Sequence, residues 1–211
     1  MNEHDITLEL ATAAQARAIP DLVFSAGPAV YRYVFGADRE LFDAYVGRSW
    51  TTPDSLYSHA ETTVAVDGGE VVGMEIGHGS QRTYQLKRES GVVLKLLAEG
   101  KMSEAQLEHV IEAAAKIEFQ VAWIPPEAYY VDTLAVVAGL HGRGIGAGLL
   151  NAAFERARKD GYRALHLDVL SDNPAVGFYR TMGMVCMSES SVPELRLHHE
   201  VPMFFRMVKE F

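Results

Sequence analysis

The sequence predicts an α/β (α+β) fold in which helices flank a mixed, mostly antiparallel central sheet. Two short apolar stretches, residues 62–66 and 71–76, surround the turn Asp67-Gly68-Gly69-Glu70, a pattern typical of a β-hairpin. Residues 129–137 are rich in β-branched and aromatic side chains and predict a buried strand, antiparallel to the hairpin. Residues 164–170 predict another strand, which is parallel to the buried one because the helical pattern between them forms a right-handed crossover.

The N-terminal part of the chain predicts one short strand followed by helices. Residues 6–10 alternate between apolar and polar side chains, as a short strand does. A helical pattern then covers residues 13–24, where Pro20 kinks the helix or divides it in two. Residues 28–35 and 39–50 predict two further helical segments.

The stretch between the hairpin and the buried strand is longer than the sheet requires. Residues 82–99 predict a helix that Gly100 ends, and Ser103-Glu104-Ala105-Gln106 is a capping box that opens a second helix through Phe119. We therefore expect a single domain, residues 1–211, with a helical hairpin inserted at about 81–126. The hairpin is expected to pack against the sheet or a homodimer partner, and a lid over a pocket is the alternative.

The C-terminal part predicts the remaining strands. Asp172 or Asn173 caps a helix with Pro174 at its first position, and residues 184–188 and 201–208 complete the sheet. His198-His199-Glu200 is a weak metal candidate, because adjacent strand residues point to opposite faces, so no metal is expected. Cys186 has no basic neighbours and is expected to be a buried small side chain rather than a nucleophile.

The net charge of the chain indicates which classes of partner it favours. Asp and Glu number 28 against 19 Lys and Arg, a net charge of −9, which disfavours a nucleic-acid partner and weakly favours cationic ones. No apolar run approaches membrane-spanning length, and residues 1–5 contain acids rather than a basic leader, so we expect a cytoplasmic protein without a membrane partner. The one cysteine excludes an internal disulfide.

A glycine-rich turn joins the buried strand to the helix of the crossover. It has the sequence Gly142-Arg143-Gly144-Ile145-Gly146-Ala147-Gly148. Glycines let the main chain turn sharply and come close to an anion. The first N–H groups of the helix lack helical partners and point towards that anion, with the helix dipole behind them. The turn therefore predicts a binding site for the pyrophosphate of a nucleotide.

The spacing of the turn separates several kinds of nucleotide site. A P-loop needs Lys and Ser or Thr after its last glycine, where Leu149-Leu150 stand instead. Gly142, Gly144 and Ala147 do satisfy the dinucleotide pattern GxGxxA, and Asp168 follows where a ribose-binding acid belongs. Against that hypothesis, residues 138–141 separate the first glycine from the strand. A turn that only lets the helix pack on the strand is the remaining alternative.

Residues 130–183 resemble the acyl-CoA-binding half of the GNAT N-acetyltransferase superfamily. That family has a Leu-Ala-Val strand end, a short loop and an Arg/Gln-x-x-Gly-x-Gly/Ala turn. The matching residues are Leu134-Ala135-Val136 and His141-Gly142-Arg143-Gly144-Ile145-Gly146. His141 replaces the usual Arg or Gln, and Arg143 supplies positive charge nearby. The second signature, an Asn after the next strand and a Tyr in the following helix, corresponds to Asn173 and Tyr179.

The resemblance implies a fold, a cosubstrate and a reaction. The two parallel central strands would splay apart to admit CoA, and acetyl-CoA would donate its acetyl group to a primary amine of a small molecule or peptide. The residues expected to bind the cosubstrate are Leu134, Ala135, Val136, His141, Gly142, Arg143, Gly144, Ile145, Gly146, Ala147, Asn173 and Tyr179. Within this set, the main chain of Leu134 and Val136 would pair with the pantetheine arm and polarise the thioester carbonyl.

The resemblance also implies proton transfers. An alkylamine with a pKa of about 10.4 arrives protonated at neutral pH and needs a base. Strand alternation would place Tyr130, Asp132 and Leu134 on one face, so Asp132 is the first candidate, followed by Glu75 and then His78. The alternative for Asp132 is an acid that caps or pairs locally, and for Glu75 a solvent-facing strand residue.

Tyr179 is the candidate general acid for the departing thiolate, and an ordinary core aromatic is the alternative. Two other functions stay open for the whole chain. One is a non-catalytic acyl-CoA-binding or regulatory domain, which the departure at His141 keeps open. The other is a dinucleotide-binding oxidoreductase.

Overall fold

A computed structural model of the protein describes residues 6–89 and 91–211. Its sheet has seven strands in the order β1-β2-β3-β4-β5-β7-β6. The strands are β1 Thr7–Leu10, β2 Thr62–Asp67, β3 Glu70–Gly79, β4 Ala128–Val136, β5 Ala164–Leu170, β6 Val185–Ser190 and β7 Phe204–Glu210. Only β4 and β5 run parallel to each other; every other pair is antiparallel. The predicted mixed, mostly antiparallel sheet is thus confirmed.

Helices cover both faces of this sheet. They are α1 Ile19–Ala26, α2 Pro28–Val34, α3 Arg39–Trp50, α4 Ser80–Glu89, α5 Val92–Ala98, α6 Glu104–Gln120, α7 Ile145–Lys159, α8 Ala175–Thr181 and α9 Pro193–His198. Buried side chains of α1, α3, α5 and α6 form one core with Met74 and Ile76 of β3. Those of α7 and α8 form a second core with Val131 and Leu167. Because successive side chains of a strand point to opposite faces, the one sheet contributes residues to both cores.

The two parallel strands are paired along only part of their length. Ala128–Val131 of β4 faces 164–167 of β5 in register. Beyond this point β4 continues to Val136 beside β3, and β5 continues to Leu170 beside β7. A gap therefore opens between their carboxyl ends, which confirms the predicted splay of the two strands.

The inserted segment contains three helices rather than the expected two. Its predicted first helix is divided into α4 and α5, and Gly91 between them has a left-handed φ of 54°. Ser90, which that prediction included, lies outside the described residues. The capping box is confirmed, because Ser103 Oγ accepts from the Gln106 N–H at 3.2 Å and α6 follows. At its other end, Gln120 Nε2 donates to the Pro202 carbonyl at 2.8 Å, which fixes α6 to the chain before β7.

Two C-terminal expectations were wrong. His198 ends α9, a helix that the sequence did not predict, so the argument from adjacent strand residues does not apply to it. Within the described ranges, no three His, Cys, Asp or Glu side chains come close enough together to hold a metal ion. Cys186 is exposed rather than buried, because β6 is the last strand of the sheet and its first residues are open to solvent.

The N-terminal helical pattern is divided at its proline. A 3₁₀ helix covers Ala13–Ala18, and α1 begins at Ile19 with Pro20 in its first turn, where proline costs no hydrogen bond. In the part of the chain that the structure describes, no helix is long and apolar enough to span a bilayer.

Candidate active site

The glycine-rich turn after β4 is open. Gly142 and Gly144 have left-handed φ angles of 79° and 83°, which L side chains rarely adopt. A Cβ atom added at either position would have no heavy atom within 4 Å. The turn is therefore not filled by the protein's own side chains, and its main chain is accessible to a ligand.

The helix after the turn directs N–H groups towards this open space. The N–H of Gly148 donates to the Gly144 carbonyl at 2.9 Å, which begins the hydrogen-bond ladder of α7. The amides of Ile145, Gly146 and Ala147 precede that bond and have no partner within the helix. The side chain of Ile145 is only 4% exposed and anchors this end of α7 in the core. The arrangement fits an anion such as a pyrophosphate.

His141 supports the connector before the turn. Its Nε2 lies 2.9 Å from the carbonyl oxygen of Val136, the last residue of β4. The ring thus links the end of the strand to the start of the turn across residues 137–140. The family pattern that the sequence resembles usually has a long Arg or Gln side chain at this position. Here the shorter His141 side chain contacts the end of the strand and stabilises the loop.

A cavity of about 800 Å³ lies in the gap between β4 and β5 and reaches His141 of the connector, while residues 142–147 of the turn are not part of its lining. It is bounded by α1, α2 and α6 on one face of the sheet and by the start of α8 on the other. The predicted site residues that line it are Asp132, Leu134, Ala135, Val136, His141, Asn173 and Tyr179. Residues far apart in sequence are thus brought together at the place where the parallel strands separate.

A β-bulge changes the orientation of Asp132. Consecutive residues Ile76 and Gly77 of β3 pair with Thr133 and Val131 of β4, so Asp132 is an extra residue. Leu134 packs towards Ile145 and Leu149 of α7. Asp132 instead approaches α4 on the opposite face. The expectation that Asp132 and Leu134 share a face was wrong, because strict alternation fails at a bulge.

The Asp132 carboxylate is largely enclosed and paired. Its side chain is 11% exposed, and Oδ1 lies 3.3 Å from Lys87 Nζ of α4. The hydroxyl of Thr133 donates to Oδ2 at 3.3 Å. Asp132 is therefore a paired acid, as the alternative expected, but its partner Lys87 is distant in sequence rather than local. Both side chains still line the cavity.

Three tyrosines surround this carboxylate, and the sequence did not single them out. Tyr31 Oη and Tyr57 Oη lie 3.0 Å apart, and both residues line the cavity together with Tyr45. Burial, and then the negative charge of Asp132, raise the pKa of Tyr45 to about 12. Burial also raises the pKa of Tyr31 and Tyr57 above its ordinary value. All three phenols therefore keep their protons at neutral pH and serve as hydrogen-bond donors.

Tyr179 and Asn173 approach the cavity from the α8 side. Burial raises the pKa of Tyr179 above its ordinary value, so the phenol stays protonated. Asn173 Oδ1 accepts from the Ala175 N–H at 2.8 Å, but the N-cap of α8 is Pro174, so the prediction that Asp172 or Asn173 caps this helix with Pro174 at its first position was wrong by one residue. The NH₂ group is the part of the Asn173 side chain that can donate to a ligand.

Glu75 lies on the other face of β3, away from the cavity. Its side chain is 1% exposed and forms an ion pair with Arg156 of α7. Burial raises the pKa of Glu75, while Arg156 opposes that shift. The alternative of a solvent-facing residue was wrong. The third candidate base, His78, is 6% exposed, and its Nε2 lies 3.2 Å from Glu61 Oε2. Like Glu75, His78 does not line the cavity.

Asp168 is engaged in a buried ion pair rather than available to a ribose. Its Oδ1 and Oδ2 accept from Arg206 Nε and Nη2 at 2.7 and 2.8 Å, and Tyr130 Oη donates to Oδ2 at 3.0 Å. Asp168 is therefore not available as the ribose-binding carboxylate that the dinucleotide-binding hypothesis requires.

Comparisons with known proteins agree with this fold. An N-acetyltransferase from Staphylococcus aureus Mu50 is 17% identical with a TM-score of 0.72, over 96% of this chain and 100% of that chain. A GCN5-related N-acetyltransferase from Kribbella flavida is 19% identical with a TM-score of 0.56, over 98% of each chain. The NatC complex bound to Gag peptide and CoA contains a chain 15% identical with a TM-score of 0.51, over 98% of each chain. These likenesses show the fold.

A search of curated proteins finds no match. A family model described as the acetyltransferase (GNAT) family matches residues 31–184, which is more than half of the chain. The splayed strands, the open glycine turn and this match lead to one conclusion: the protein belongs to the acetyltransferase (GNAT) family.

Proposed function

We propose that this protein transfers an acetyl group from acetyl-CoA to a primary amine of a small molecule or peptide. Membership of the GNAT family suggests the use of an acyl-CoA. The observation that carries the proposal is the single cavity that joins the gap between β4 and β5 to both Asp132 and Tyr179. Acetyl-CoA supplies the thioester whose carbonyl carbon the amine attacks.

The main chain of the protein does most of the binding in this proposal. The N–H groups of residues 142–147 hold the pyrophosphate, with Arg143 adding positive charge to the turn. The free edge of β4 at Leu134 and Val136 pairs with the pantetheine arm and directs an N–H at the thioester oxygen. The Asn173 NH₂ group contacts the same arm from the end of β5. The result is a fixed position for the thioester beside Asp132.

Asp132 removes a proton from the acceptor, directly or through a water molecule. The ammonium group enters between the carboxylate and the surrounding tyrosines, and the ion pair of Asp132 with Lys87 supports the proposal that this carboxylate accepts a cation. Deprotonation leaves the nitrogen lone pair free to attack. Glu75 takes no part, because its side chain contacts Arg156 on the opposite face of the sheet.

Tyr179 stabilises the sulfur as the carbon–sulfur bond breaks. A thiol has a pKa of about 8.5, below that of this phenol, so complete proton transfer from Tyr179 to the thiolate is uphill. A hydrogen bond from the phenol to the developing negative charge needs no such transfer and still lowers the barrier. The departing thiolate then takes up the proton that the attacking nitrogen loses, and CoA leaves as the free thiol.

A two-part experiment tests the proposal. Thermal shifts are measured with acetyl-CoA, CoA, NAD and NADP, and thiol release is then followed with a panel of amines. We expect stabilisation by acetyl-CoA and CoA only, amine-dependent thiol release, and loss of most release in Asp132→Asn. Stabilisation without release by any amine would contradict the enzymatic proposal and indicate a binding domain. Stabilisation by NAD or NADP alone would contradict acyl-CoA use.

A further inference from the structure

The acceptor end of the cavity has a composition that selects among amines. We propose that the acceptor is an amine with one positive charge on an apolar body, such as an alkylamine or arylalkylamine, rather than a polyamine or a highly polar amine. This inference rests on the proposed function, and it concerns the end of the cavity beyond Asp132. The cavity charges, the position of Lys87 and the surface of the inserted helices support it independently.

The enclosed part of the cavity offers one carboxylate, Asp132, to an acceptor ammonium group, and that carboxylate is shared with Lys87. Among the described residues that line it, the acids are Asp21, Glu118, Asp132 and Asp168. Asp21 lies at the surface, paired with Arg39, and Asp168 is neutralised by Arg206. Glu118 is exposed on α6. Asp132 is therefore the enclosed carboxylate that an ammonium group can reach, and a second ammonium would be desolvated without a partner.

Lys87 shows what a primary ammonium contacts in this place. Its Nζ lies 3.3 Å from Asp132 Oδ1 and 5.6 Å from the centre of the Tyr130 ring. A carboxylate on one side and an aromatic face on the other are favourable partners for a single cation. An acceptor ammonium that binds here shares Asp132 with Lys87 or displaces it, and the body of the acceptor then extends towards the inserted helices.

The inserted helices give that body an apolar surface. Ile111 and Ala114 of α6, Val93 of α5 and Val30 of the neighbouring α2 all line the cavity. Ile111 is 55% exposed in the free protein, so an apolar ligand gains by covering it. A polar body would lose water against these Ile, Ala and Val side chains, which offer no hydrogen-bond partner in exchange.

The first test compares amines at saturating acetyl-CoA. We expect kcat/KM for hexylamine and 2-phenylethylamine to exceed that for putrescine and spermidine by at least about tenfold, because the second ammonium is desolvated without a partner. Equal or faster acetylation of putrescine or spermidine would overturn this inference while leaving the proposed acetyl transfer standing. Acetyl-CoA binding without turnover of any amine would overturn both.

A charge placed on the α6 surface provides the second test. In Ile111→Glu, kcat/KM for hexylamine should fall by about tenfold and that for putrescine should rise, because a second anion now faces the acceptor. The matched control is Phe119→Glu on the same helix, a side chain that is 86% exposed and outside the cavity lining. Both variants are checked for unchanged acetyl-CoA binding. If Ile111→Glu behaves like Phe119→Glu towards both amines, the proposal fails.

Discussion

At the scale of single residues, Tyr179 is the position where burial and chemistry combine most clearly. The phenol lines the cavity, and its raised pKa makes it a hydrogen-bond donor rather than a strong acid. In the proposed reaction Tyr179→Phe removes one hydrogen bond to a charged sulfur, worth about 1.5–3 kcal/mol, so kcat should fall roughly 10- to 150-fold. Acetyl-CoA affinity, measured by calorimetry, should stay nearly unchanged. Unchanged kcat would remove Tyr179 from the reaction.

His166 provides a residue-scale prediction about pH. The side chain is 4% exposed on β5, and burial, followed by the nearby Arg206, lowers its pKa to about 4. Since an unfolded chain has a His pKa of about 6.5, it binds a proton between these values that the folded protein does not bind. The free energy of unfolding should therefore fall as the pH drops from about 6.5 to 4, by about 2 kcal/mol for this residue.

Chemical denaturation at pH 7, 5.5 and 4.5 measures the effect. Other groups also titrate in this range, so the informative quantity is the difference between the natural protein and His166→Phe. The variant should lose part of the pH dependence. An identical pH dependence in both proteins would show that His166 is not the group responsible.

Motif spacing and tertiary structure account for different parts of the site. The candidates Gly142, Gly144, Asn173 and Tyr179 could be proposed from spacing, because the motifs place particular residue types at fixed intervals. The tyrosines around Asp132 could not be identified, since they come from α2, α3 and the loop after α3. Their proximity is created by packing of helices against the sheet.

At the scale of elements, the turn before α7 is the most sensitive junction. Gly144 precedes the first residue of α7 with φ 83°, so Gly144→Ala is strained by about 1–2 kcal/mol even though its Cβ meets no neighbour. If the chain relaxes the strain by reorienting the turn, acetyl-CoA affinity should fall about tenfold.

The matched control is Gly139→Ala. Gly139 lies in the preceding connector, also without a neighbour within 4 Å of an added Cβ, but it does not have a left-handed φ. Isothermal titration of both variants with acetyl-CoA compares the two. Equal affinities for the two variants would show that the conformation of the turn does not govern binding.

Element prediction succeeded where local signals were strong. The β2–β3 hairpin and the Ser103 capping box follow from turn and cap chemistry within a few residues. The division between α4 and α5 was missed, because Gly91 is tolerated within a helical pattern until packing imposes its left-handed conformation. The bulge at Asp132 was missed for a similar reason, since it depends on the register with β3.

At the scale of the whole molecule, Arg206 connects the sheet to the end of the insertion. The side chain is 1% exposed on β7, and its Nη1 donates to the Trp123 carbonyl at 3.2 Å while Nε and Nη2 hold Asp168 on β5. It therefore fixes the chain leaving α6 relative to the strands that form the gap. This long-range tie depends on three distant segments, and no sequence pattern predicted it.

Replacing Arg206 alone should lower the free energy of unfolding more than replacing Arg206 and Asp168 together. Arg206→Met leaves Asp168 buried without its partner and should cost about 3–5 kcal/mol, or about 10 °C in Tm for a chain of this size. The double variant Arg206→Met with Asp168→Leu removes the unpaired charge, so it should recover at least half of that loss. Thermal unfolding of the natural protein, both single variants and the double variant gives the coupling. If the losses of the two single variants simply add, the ion pair does not act as a unit, and the anchoring of the insertion must come instead from contacts such as the Gln120–Pro202 hydrogen bond.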